Sequence, residues 1–86
     1  VPGQPQPRES GRLYGPADPD VPVAMVRLEE CMDGSGRWLL LVNRPARART
    51  TRYEHPDQRS ARAQLAEEYA NLEPGQWWET TTRLPY

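Results

Sequence analysis

From Val23 to Met32 apolar and polar positions alternate. Ala24, Val26 and Leu28 fall on one side, and Val23, Met25, Arg27 and Glu29 on the other. A period of two marks a half-buried strand, so Ala24, Val26 and Leu28 are predicted to face a core. Asp33-Gly34-Ser35-Gly36 follows. Glycine there supplies the positive φ that a tight hairpin needs. Arg37–Asn43 then returns as a second strand. Its unbroken run Trp38-Leu39-Leu40-Leu41-Val42 predicts a central position covered on both faces. Pro45 ends that strand. Residues Arg47–Tyr53 are rich in Arg and Thr and poor in apolar side chains, which predicts a third strand that is either a sheet edge or largely solvated.

The period then changes. Ala61, Leu65, Tyr69 and Leu72 recur at helical spacing and define one buried stripe. His55-Pro56-Asp57 supplies a helix start, with a proline tolerated there and an acid favourable to the dipole. Pro74-Gly75 supplies the stop. Gln76–Leu84 reads as a last strand, in which Trp77 and Trp78 point to opposite faces. One indole is predicted to enter the core. The other is left half-covered by an arginine stem or exposed as an anchor for a partner.

Residues 1–22 hold six of the ten prolines. Proline removes backbone donors and biases its predecessor toward extended geometry. The expectation is an extended arm over 1–22, neither helix nor central strand, followed by a single small α+β domain over 23–86. That domain is predicted to be an antiparallel sheet of three to four strands packed on one helix, in the order ββ(β)αβ.

Composition sharpens this picture in three ways. First, 86 residues make one domain at most, and 36% hydrophobic residues make a thin core, so a partner subunit is expected to supply missing burial. Second, Cys31 is the only cysteine and His55 the only histidine. An intrachain disulfide and a zinc cluster are therefore excluded, no cofactor is expected, and a reducing compartment such as the cytoplasm is favoured. Third, no apolar run approaches the roughly 20 residues that a spanning helix needs. No secretory signal is visible, and a chain starting with Val1 leaves open whether a leader was removed.

Catalytic patterns are missing. No nucleophile elbow, P-loop, zinc-protease or dinucleotide fingerprint occurs. Glu67 and Glu68 are adjacent on a helix and diverge, so they form no acid/base dyad. The expectation is a protein that is not an enzyme.

Charge carries the remaining signal. All eleven basic residues are arginine, and Lys, Ile and Phe are absent, a bias expected of a GC-rich genome. Seven arginines lie between Arg37 and Arg62, opposed only by Glu54 and Asp57, so this stretch carries +5 while each flank sums to −3. Guanidinium suits bidentate contact with carboxylate or phosphate. The candidate partner-binding residues are therefore Arg44, Arg47, Arg49, Arg52, Arg59 and Arg62, together with Trp77 and Trp78. Trp38 and Tyr86 complete the aromatic set.

A net charge of −1 is not that of a typical nucleic-acid binder. The favoured expectation is an accessory subunit or small regulator that docks on a larger protein assembly through its arm, its arginines and an exposed tryptophan. The alternative is nucleic-acid binding by a strand face carrying Arg47, Arg49 and Arg52. A third reading leaves these arginines paired with the chain's own carboxylates or guarding an edge strand.

Overall fold

A computed structural model of the chain describes residues 6–45 and 48–82. Five strands and one helix follow in order: β1 (Gln6–Tyr14), β2 (Ala24–Glu30), β3 (Trp38–Arg44), β4 (Arg49–His55), α1 (Gln58–Ala70) and β5 (Trp77–Thr82). The strands form one sheet in the order β4-β3-β2-β1-β5, antiparallel at every pairing. The fold is α+β, with five strands rather than three to four.

The added strand is β1. Residues 6–14 were expected to belong to an arm that enters no central strand, yet β1 is flanked by β2 on one side and β5 on the other. The prolines explain why the expectation failed. Pro16, Pro19 and Pro22 fall after Tyr14, in the connection to β2, and only Pro7 lies within the strand. Pro7 sits where the register with β2 shifts between Pro7 and Glu9. A bulge is one of the few places a strand tolerates a residue without an N–H. Residues 1–5 of the expected arm lie outside the described residues.

Local chemistry sets the other boundaries. Gly34 and Gly36 have φ of 82° and 76°, the left-handed geometry foreseen for the β2–β3 turn. Asp33 Oδ1 accepts from the Ser35 backbone amide at 2.9 Å, and the hydroxyl and backbone amide of Ser35 hold the Asp33 carboxyl below its ordinary range. Asp57 caps α1, its side chain accepting from the Ser60 amide at 2.8 Å. Pro56 thus precedes the cap. The helix ends at Ala70, so Leu72 leaves the predicted stripe and is exposed.

Helix α1 covers one face of the sheet. Ala61 and Leu65 pack with Val26, Leu28, Trp38, Leu40 and Val42, and Tyr69 and Trp78 close the cluster at its margin. Leu28 and Leu40 are fully buried. Strand β3 is central, as its apolar run predicts, and β4 is an edge. But α1 covers only one face of β3, so the expected cover on both faces is not found: Leu41, on the other face, is half-buried. The order of the chain explains how α1 serves as a crossover: it leaves edge strand β4 and delivers β5 to the far edge, beside β1.

Candidate functional site

The arginines from Arg44 to Arg62 do not form one surface. Arg44 and Arg49 pair across β3 and β4, whereas Arg52 lies on the opposite face of β4. Several guanidinium groups meet internal carboxylates: Arg44 with Glu68 at 3.1 Å, Arg62 with Glu9 at 3.5 Å, and Arg52 with Glu54 at 3.4 Å. Arg49 and Arg59 are exposed and form no ion pair with another described residue. Arg47 and Tyr86 lie outside the described residues. A concavity of about 180 Å³ on the helix side joins the Arg44–Glu68 pair to Arg49, Thr51 and Tyr53.

The tryptophans divide as alternation predicts. Trp78 turns to the helix side, where its ring meets Tyr69 edge-on at 5.1 Å. Its Nε1 is buried with no hydrogen-bond partner among the described residues. Trp77 points the other way, is 42% exposed, and stacks on Tyr14 at 5.8 Å with 23° between the rings. Trp38 is buried beneath α1.

The face without a helix is built from strand register. One row across the sheet runs Glu79, Arg12, Met25, Asn43, Thr50. The next runs Thr81, Ser10, Arg27, Leu41, Arg52. A third holds Pro7, Glu29, Leu39 and Glu54. Cross-strand neighbours on one face touch, so these rows form a continuous surface. Trp77 and Tyr14 stand at one end, a two-residue step along β1 from Arg12.

This face encloses a cleft of about 500 Å³ whose lining includes Arg12, Met25, Arg27, Leu41, Asn43 and Thr50. Glu9 also contributes, but its carboxylate is turned to the helix side, where Tyr69 Oη donates to it at 2.9 Å. The cationic charge therefore sits at the centre and the acids Glu29, Glu54 and Glu79 around it. Arg12 forms no ion pair with another described residue, and Arg27 reaches only Glu29, at 3.5 Å with its side chain 59% exposed.

Sequence reasoning missed Arg12, Arg27 and Tyr14. Two of them fall in the segment read as an arm. A signal was present, because Glu9, Gly11 and Leu13 alternate with Ser10, Arg12 and Tyr14. Gly11 hides the alternation: it is buried but adds no apolar side chain to count.

His55 Nε2 is hydrogen-bonded to Gln64 Oε1 and ties β4 to α1. Neither cleft is lined by His55. Among the described residues no group of His, Cys, Asp and Glu side chains is placed to hold a metal ion. No helix among them is long and apolar enough to cross a membrane. Comparison with protein-family models, curated proteins and solved structures finds no match to this chain.

Proposed function

We propose that this chain is a non-enzymatic interaction module, an accessory subunit or small regulator that docks on a larger protein assembly through the helix-free face of its sheet. One observation carries the reading. A sheet is stable when its apolar face meets a second layer, and α1 supplies that layer on one side only. The other side presents Met25, Leu41 and the Tyr14–Trp77 stack beside a cleft of about 500 Å³. An exposed aromatic next to arginine is the usual composition of an interface centre.

The partner is a protein by a charge argument. The open face carries Arg12, Arg27 and Arg52 against Glu29, Glu54 and Glu79. Among the described residues it has no cationic surplus for a run of phosphates. A mixed protein surface matches it better. The stacked aromatics do favour a second reading, in which unpaired bases stack on Tyr14 and Trp77. That reading predicts a steep loss of affinity with salt.

The test replaces Leu41, at the centre of the face, with glutamate. Circular dichroism establishes that the Leu41→Glu variant folds. The native chain should purify with a stoichiometric protein partner, and Leu41→Glu should release it while Arg59→Gln, on the helix, retains it. Equal recovery of the partner by folded Leu41→Glu would sink the proposal, as would recovery of nucleic acid alone.

A further inference from the structure

The proposed docking face has a charge pattern finer than its neutral total, and this names the chemistry of what it meets. Ser10 pairs with Arg27 and Arg12 with Met25, so Arg12 and Arg27 are diagonal neighbours on adjacent antiparallel strands. Such positions lie roughly 7–8 Å apart, which lets two guanidinium groups converge on one anion. Both line the same cleft. The one acid in that lining, Glu9, spends its carboxylate on Tyr69 and Arg62 behind the sheet. The cleft is therefore cationic inside and ringed by Glu29, Glu54 and Glu79 outside.

Resting on the docking role of this face, we infer that Arg12 and Arg27 together bind one carboxylate of an acidic peptide segment of the partner. An aromatic or aliphatic side chain close to that acid packs on the Tyr14–Trp77 stack. The geometry selects a peptide over a nucleic-acid strand. Phosphates recur along a strand, and those beyond the cleft would meet the ringing glutamates. A single Asp or Glu needs only the centre. Guanidinium pairs bind carboxylate bidentately, Asn43 and Thr50 offer further hydrogen bonds, and Met25 and Leu41 give the stem an apolar floor. Arg12 has no ion-pair partner among the described residues, and Arg27, 59% exposed at its side chain, is engaged by Glu29 alone among them, through one contact of 3.5 Å.

A phage-displayed random peptide library, selected on the full chain, tests this. Selected peptides should carry Asp or Glu near an aromatic or aliphatic residue. Measured by fluorescence anisotropy, Arg12→Gln and Arg27→Gln should each weaken the best peptide about tenfold or more, the effect of losing one charge-assisted hydrogen bond. Replacing the peptide's acid by its amide should cause a similar loss and add little in the Arg27→Gln variant. Arg59→Gln should bind normally. Selection of peptides without acids overturns the inference, and so does affinity unchanged in both arginine variants. Binding of a single-stranded oligonucleotide in place of any peptide also overturns it. If neutral peptides bind and Leu41→Glu abolishes their binding, the docking role stands while the carboxylate site falls. If no peptide and no partner protein depends on Leu41, both fall.

Discussion

Tyr69 lies directly over Gly11. A Cβ at position 11 would stand 3.0 Å from Tyr69 Cε1 and 3.1 Å from its Oη, with Val26 Cγ2 at 3.2 Å on the other side. The bare backbone of β1 therefore lets the ring reach past it to Glu9, at 2.9 Å. Trp78 flanks the same ring. This contact fastens the last turn of α1 to β1, a strand that joins the sheet through pairings distant in sequence.

Gly11→Ala should therefore destabilise the chain. The ring is held by Glu9 and Trp78, so it cannot swing aside at little cost. Overpacking of this kind costs about 1–3 kcal/mol, to be read from urea unfolding. In a Tyr69→Ala background the penalty should fall to less than half. An equal penalty in both backgrounds would show that Tyr69 is not the group in conflict.

Removal of β1 should abolish folding. If residues 1–22 were an arm beside a self-sufficient domain, their deletion would spare the fold. Because β1 pairs with both β2 and β5, deleting residues 1–14 strips β5 of its partner strand and takes Leu13 from the core. Far-ultraviolet circular dichroism should report loss of cooperative unfolding. A truncated chain with a native-like transition would refute this assignment.

The two adjacent indoles should behave oppositely. Trp78→Ala removes a ring packed on the core cluster and should cost about 3 kcal/mol. Trp78→Phe should cost much less, because Nε1 has no hydrogen-bond partner to lose among the described residues. Trp77→Ala should cost less than about 1.5 kcal/mol, the range of one aromatic pair, yet weaken partner binding strongly. Thermal melts and binding assays on the three variants separate these effects.

Asp57 should make α1 sensitive to acid. The backbone amide of Ser60, and next its hydroxyl, hold the Asp57 carboxyl below its ordinary value of 3.8. A group whose folded pKa is lowered stabilises the fold above its unfolded pKa, and loses that effect as pH falls through the folded value. The gap in Tm between native chain and Asp57→Ala should be constant at neutral pH and shrink below 3.8. A gap that persists undiminished at lower pH would show that the carboxylate form is not the capping species.

Much of the fold is legible in local pattern. Strands β2, β3 and β4, the glycine turn between β2 and β3, and α1 follow from periods of two and 3.6 and from residues suited to caps and turns. The division of Trp77 from Trp78 follows from alternation alone. Strand β1 escapes this reading for two physical reasons. Its neighbouring prolines resemble a linker, and its inward face is Glu9, Gly11 and Leu13, a set with one large apolar side chain. Its cover comes from far along the chain: Tyr69 of α1 lies over Gly11 and bonds Glu9.

The candidate site was legible in type and not in place. An arginine-bearing surface beside an exposed tryptophan could be anticipated. The density of arginines from Arg37 to Arg62 pointed to that stretch, but several of those guanidinium groups have carboxylates waiting across the fold, as Arg44 has Glu68 and Arg62 has Glu9. Which charges remain available depends on partners remote along the chain, and linear counting cannot see them.

By itself the order of residues set the kind and approximate place of β2, β3, β4, α1 and β5, because those are decided by neighbours a few positions apart. Only the tertiary structure settled that residues 6–14 lie inside the sheet and that Arg12 and Arg27 line one cleft. Both depend on which strands pair, and pairing is chosen by how the whole apolar set can be covered at once by a single helix.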